Sequence, residues 1–293
     1  MNNKGFTDKE FIQACFLQYD AYIKTKRGVN KMNAVGKFLN EENSNHENKD
    51  YHNLDEIAKK IILIYTRWGN VTDFTGVVEK FKKQYINGES KIENNETKEE
   101  KRGIGVIYDY ICNYNFDQNG FNIFVNSIDI HTKLFSKCIG KEFGGSLRTE
   151  QAVLFDTNIE VVSPVEAMKR YNEYIMKSDS IMEQLDKMDI FGYIDGCLKI
   201  MVDLIKIQPF ADGNKRTFRS LFNLMIKRKN LPPVYIGNEE SGDFKKALLS
   251  AMVDDNYEQL NKLYIRLICD SIVLLGLKEA QIEQRNERTK KSK

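Results

Sequence analysis

Two apolar runs at helical spacing, separated by a short polar bend, constrain this chain more than any other feature. Ile194, Cys197, Leu198, Met201, Leu204 and Ile205 recur every three or four residues between Phe191 and Ile207. Phe218, Leu221, Phe222, Leu224 and Met225 do the same on the far side. The pattern predicts two buried helices joined by a short polar loop. Pro209 stops the first, because it has no N–H and restricts the residue before it. Asp212-Gly213-Asn214 is turn chemistry. The second helix then opens with backbone N–H groups that have no partner within the helix, and Lys215, Arg216 and Arg219 fall within about a turn of that opening. A glycine entry, a helix N-terminus and three cations suit an anion, phosphate above all. Asp212 is a candidate Mg²⁺ ligand, since the ion on a nucleotide takes one or two carboxylates plus phosphate oxygens. Read from charge alone, the same residues serve equally well as a solvated helix start.

The stretch Ile-Gln-Pro-Phe-Ala-Asp-Gly-Asn-Lys-Arg-Thr-Phe-Arg, residues 207–219, resembles the signature loop of the Fic (Fic/Doc) family, His-Pro-Phe-x-Asp/Glu-Gly-Asn-Gly/Lys-Arg-x-x-Arg. Pro209, Phe210, Asp212, Gly213, Asn214, Arg216 and Arg219 match position for position, and Lys215 matches the Asn-Lys-Arg-Thr form of Doc-like members. The resemblance implies transfer of AMP, or another phosphate-containing group, from ATP or another nucleotide to a hydroxyl on a target protein. It implies that Gly213, Asn214 and Lys215 hold phosphates, that Arg216 stabilises charge on the transferred group, that Asp212 holds Mg²⁺ and that Arg219 meets the γ-phosphate. One departure bears on all of this. The family's general base, a histidine, is replaced by Gln208. A carboxamide has no useful basicity near neutral pH, where histidine titrates, and losing a positioned base costs roughly 10²–10⁴-fold in rate. Three readings stay open: a nucleotide-binding member with little transferase activity, a different base or reaction, or an exchange that traps an inactive form. A non-catalytic interaction module and a Doc-like kinase are the alternatives to an adenylyltransferase.

Composition sets the frame. The chain has 293 residues, 41% of them hydrophobic, a formal net charge of +2 and four prolines. That balance favours an all-α fold and gives no basic surface for nucleic acid. Cys15, Cys112, Cys138, Cys197 and Cys269 are odd in number and scattered, so they read as reduced thiols rather than disulfides or zinc ligands. His46, His52 and His131 form no cluster. No apolar run is long enough to span a bilayer. The expectation is a cytoplasmic protein without a nucleic-acid or membrane partner, with self-association left open.

Along the chain, Phe11, Ile12, Cys15, Phe16, Tyr19, Tyr22 and Ile23 suggest a helix, and residues 40–53 a polar linker. A helix beginning near Asn53 or Asp55 and another over 74–85 follow. By composition, residues 86–100 read as a charged surface loop. They also resemble the inhibitory segment of Fic proteins, Ser/Thr-x-x-x-Glu-Gly/Asn, through Ser90, Ile92, Glu93 and Asn94, although Glu89 stands where the short form has Ser or Thr. The resemblance implies that Glu93 pairs with Arg219 in the resting state. A weaker candidate surrounds Glu47. Helices are expected over 104–114 and 122–139, where His131 reads as a core histidine rather than a substitute base. Residues 144–164 read as a β-hairpin turning at Asp156, Thr157 and Asn158, and by resemblance as the flap that clamps the target. A helix from Pro164 to about Ile175, a polar stretch over 177–189, a loop at 230–233, two helices within 243–277 and a frayed basic tail complete the reading. The expected domains are an N-terminal helical region over 1–85, a Fic domain over 86–276 (inhibitory segment 88–97, flap 144–164, loop 207–219) and a tail over 277–293.

Overall fold

A computed structural model describes residues 54–68, 79–93, 97–138, 141–154 and 159–291. The chain divides into two compact units, residues 1–72 with 268–293, and residues 73–267. The first contains α1 (Leu54–Trp68), which buries Ala58, Ile61 and Ile62. The second contains α2 (Glu79–Ile92), α3 (Lys98–Asn113), the short α4 (Phe116–Asn119), α5 (Ile123–Phe135), a 3₁₀ turn (Lys141–Phe143), α6 (Pro164–Asp186), α7 (Ile190–Ile207), α8 (Asn214–Lys227) and α9 (Ser241–Val253). α10 (Glu258–Lys291) begins in the second unit and ends in the first.

The two apolar runs are α7 and α8, which pack against each other, with α5 and α3 also against α8 and α6 and α9 against α7. Tyr193, Ile194, Cys197, Leu198, Met201, Leu204 and Ile205 of α7 and Phe218, Leu221, Phe222, Leu224 and Met225 of α8 are all fully buried. Helix starts carry their expected chemistry. Thr97, Asn122, Ser163 and Asp189 each accept an amide of the first turn, and Pro164 occupies the opening of α6.

Several sequence boundaries move, each for a tertiary reason. α2 runs on to Ile92 through residues read as a charged loop, because Gly88, Glu89, Ser90 and Ile92 are buried on one side while Lys83, Asn87 and Lys91 face solvent. α6 continues through the polar stretch to Asp186, since Ser178, Met182 and Leu185 recur on its buried face. The tail expected to fray is helical to Lys291, as befits a run of strong helix formers without proline.

The described residues on either side of the expected hairpin turn do not pair as strands. No strand occurs among the described residues; the one bridge is an isolated antiparallel pair, Leu147 with Phe210. Residues 147–154 and 159–163 are instead tied by side chains: Gln151 Nε2 donates to the Val161 carbonyl at 2.6 Å and Arg148 Nη2 to that of Val162 at 2.5 Å. Residues 156–158, the helix expected over the first forty residues, the linker at 40–53 and the segment around Glu47 lie outside the described residues.

Among the described residues, no helix is long and apolar enough to cross a membrane.

Candidate functional site

The bend between α7 and α8 is held from within. Gln208 caps α7 in the left-handed region (φ 50°, ψ 58°), a conformation that non-glycine residues adopt only when their surroundings enforce it. Its backbone N–H donates to the Leu204 carbonyl at 3.2 Å and its Nε2 to the Ile205 carbonyl at 2.6 Å. The carboxamide thus closes the end of α7 and is buried. Phe210 is fully buried and stacks on His131, with ring centroids 3.9 Å apart and planes 10° apart. Asn214 clamps Phe210 from the other side, its Oδ1 accepting the Phe210 N–H at 2.9 Å and its Nδ2 donating to the Phe210 carbonyl at 2.7 Å. Both polar atoms of the Asn214 side chain are thus spent on shaping the loop, and its backbone N–H stands at the start of α8.

Gly213 precedes α8 at φ 73°, and a Cβ there would lie 2.9 Å from Leu134 Cδ2 and Phe135 Cε2. Both backbone and packing therefore demand glycine. Its N–H donates to Asp212 Oδ1 at 2.6 Å, so this amide is also engaged. No side chain caps the first turn of α8, and the amides at its start face the loop with the helix dipole behind them.

His131, on α5, fastens the bend to the segment opposite. Its Nδ1 accepts the Gly145 N–H at 2.8 Å, which makes Nε2 the protonated nitrogen, and Nε2 lies 2.9 Å from the Asp212 carbonyl. Burial pushes its pKa down to about 4, against the opposing pull of Asp212. With both nitrogens engaged and its basicity suppressed, His131 is a structural histidine and not a replacement base.

Each of the two arginines is met by carboxylates. Arg216, 6% exposed in its side chain, donates from Nη1 to Glu100 Oε1 at 2.9 Å and from Nη2 to Asp212 Oδ2 at 3.3 Å. Glu100 also accepts from the Thr97 hydroxyl at 3.1 Å, while its own N–H donates to that hydroxyl at 3.3 Å, so the N-cap of α3 steadies a carboxylate that serves the site. Arg219 is 2% exposed in its side chain. Its Nη1 lies 2.6 Å from Glu93 Oε1, and its Nε and Nη2 lie 2.9 and 2.8 Å from Glu89 Oε2. Burial alone would lower the Arg219 pKa, but Glu89 and then Glu93 override it and raise it above the ordinary guanidinium value. Burial would raise Glu93, yet Arg219, with smaller help from Lys215 and Arg216, holds it below the ordinary carboxylate value. Lys215 is half-buried, and the Asp212 carboxylate is the exposed member of the group, 72% accessible.

Arg148 ties position 208 to the segment that follows the 3₁₀ turn. It is 4% exposed and donates only to main-chain oxygens: Nε to Gln208 at 2.5 Å, Nη1 to Glu150 at 2.8 Å and Nη2 to Val162. Its own N–H bonds the Pro209 carbonyl at 2.9 Å. Burial lowers its pKa.

Sequence reasoning named Gln208, Asp212, Gly213, Asn214, Lys215, Arg216, Arg219 and Glu93, and the fold brings these into one locality, with Glu93 arriving from α2. It missed Glu89, Glu100 and Arg148. Glu89 carried a readable signal, since it lies four residues before Glu93 and so on the same helix face. Glu100 carried another, as the third residue after a Thr N-cap.

Residues 126–226, from α5 through α8, match the model of the Fic/DOC family. The chain is 26% identical over 172 residues to the protein adenylyltransferase Fic of Nematostella vectensis, covering 58% of this chain and 37% of that protein. It thus spans well under half the length of that relative. Among solved structures, Fic-1 of C. elegans superposes with a TM-score of 0.58 at 16% identity, over 82% of this chain and 74% of the other. A Fic domain containing signaling protein from Bacteroides thetaiotaomicron gives 0.60 at 14% identity, over 74% and 94%. The mainly helical fold described above is the Fic fold.

Proposed function

We propose that this chain, whose residues 126–226 match the model of the Fic/DOC family, is a nucleotide-dependent protein-modifying transferase of adenylyltransferase type, at rest in a closed form and without its usual base. The observation that carries this reading is the convergence of the uncapped α8 start with Arg216 and Arg219 around one bend. A polyphosphate laid there meets the open amides and Lys215 first. Arg216, kept aimed by Glu100, would counter charge developing on the transferred group. Arg219 would meet the distal phosphate once its carboxylates withdraw.

The residues fit a divalent cation only together with substrate. The Asp212 carboxylate is exposed beside the α8 start, and no group of three ligating side chains occurs among the described residues. Mg²⁺ would therefore be held by Asp212 and by phosphate oxygens, neutralising part of the polyphosphate charge when bound.

Gln208 limits the chemistry. A carboxamide cannot take a proton from a target hydroxyl at neutral pH, and this one already donates to Ile205. His131 does not replace it. In the reading proposed, the segment over 147–163 positions the target, Gln208 leaves transfer slow, and Glu93 on Arg219 obstructs the γ-phosphate. A second reading is favoured by Gln208 itself: a binding module that uses the nucleotide without turning it over. Incubation of cell lysate with α-labelled ATP distinguishes them, using the chain as it stands and Gln208→His, each also with Glu93→Gly and with Glu89→Gln and Glu93→Gly together. Label on protein after Gln208→His supports the transferase with a lost base. ATP binding without label in any form favours the module, and absence of both label and binding overturns the nucleotide site.

A further inference from the structure

Arg219 is gripped by two carboxylates that differ in kind. Glu93 lies one residue beyond the end of α2, its side chain 21% exposed, and touches Nη1 alone at 2.6 Å. Glu89 lies inside the helix, its side chain 4% exposed, and one of its oxygens bridges Nε and Nη2 at 2.9 and 2.8 Å. The helix face that carries Glu89 is wedged in place. A Cβ on Gly88 would lie 2.6 Å from the Tyr235 ring and 2.8 Å from the Ile236 carbonyl, so α2 meets that segment backbone to backbone. Phe81 and Tyr85 set their rings against Tyr235 at 5.6 and 6.3 Å. The segment is itself fixed to α8, where Asn223 accepts the Val234 N–H at 2.9 Å and donates to its carbonyl at 2.8 Å. Glu93 can swing away from a helix end; Glu89 cannot leave without repacking this aromatic wedge.

We propose that Glu89 is a second, independent lock on Arg219, so that withdrawal of Glu93 alone does not open the site to a triphosphate. With Glu93 gone, the guanidinium keeps a buried counter-charge and its Nε edge stays occupied. A γ-phosphate approaching Nη1 then meets a neutralised cation with a like charge behind it. This inference rests on the nucleotide reading above and names the regulation of the same site.

The test is calorimetric binding of ATP and of ADP, each with Mg²⁺, to the full chain, to Glu93→Gly, to Glu89→Gln and to the double variant. ADP lacks the phosphate in question, so the ratio of ATP to ADP affinity isolates the contact with Arg219. A charge-assisted contact to phosphate is worth roughly 10–100-fold in affinity. The expected result is a change in that ratio of under about threefold in each single variant and of about 30-fold or more in the double. Full ATP preference from Glu93→Gly alone overturns the second lock while leaving the nucleotide reading intact. Failure of every folded variant to bind either nucleotide overturns that reading, and the lock with it. Should Glu89→Gln leave the buried guanidinium too poorly matched to fold, Glu89→Ser, with and without Glu93→Gly, takes its place and must show the same synergy.

Discussion

Acidification isolates the part played by His131. Its Nδ1 accepts from the Gly145 N–H, so a second proton on the ring would set donor against donor at 2.8 Å. Burial adds to the cost, and the folded pKa falls to about 4 from an ordinary 6.5. The unfolded chain therefore binds a proton that the folded chain refuses between these values. The stability contributed by keeping the ring neutral is present above pH 6.5, falls as the pH drops through that window and is gone below about 4. A shift of this size corresponds to roughly 3 kcal/mol in full, of which about 2 kcal/mol is lost between pH 7 and pH 5. Urea unfolding at the two pH values measures the loss, and His131→Gln, which cannot titrate, is the reference that removes every other group's contribution. The chain should lose about 2 kcal/mol more than the variant over this interval. An NMR titration of the His131 ring with a midpoint near 6.5, or equal losses in chain and variant, refutes the reasoning, and with it the argument that His131 is too weak a base to replace the residue missing at position 208.

Two further perturbations test the architecture of the bend. Gly213→Ala places a Cβ against Leu134 and Phe135 at 2.9 Å in a left-handed backbone, which should cost roughly 1–3 kcal/mol in urea unfolding and abolish nucleotide binding by displacing the start of α8; unchanged stability would mean that the turn relaxes freely. Arg148→Ala strips three main-chain carbonyls of their donor, so limited proteolysis should cut between residues 150 and 163 at least about tenfold faster, given roughly 1–3 kcal/mol for unmaking such contacts. Resistance equal to that of the unaltered chain would remove Arg148 as the tie between this segment and Gln208.

Much of the chemistry of this protein is local in the sequence. The periodic apolar runs determined α7 and α8, because apolar side chains recurring every three or four residues line one helix face and drive it into the core. The bend between them was equally legible, since Pro209, Gly213 and the cations after it act within a few residues of one another. What sequence alone could not decide was which partners those cations would meet. Glu89 and Glu93 lie more than a hundred residues from Arg219, and read in isolation their segment is a charged loop. Only the wedge of α2 against Tyr235 and Ile236 buries that segment, extends the helix to Ile92 and turns two surface-like glutamates into counter-charges. Asn214 shows the same limit: its place in the motif did not reveal that the closeness of the Phe210 backbone claims both polar atoms of its side chain. Residue type and spacing determined that an uncapped helix start and three cations would meet at this bend. Packing between distant helices decided whether its charges face a ligand or each other, because burial forces every charge to find the nearest partner the fold provides.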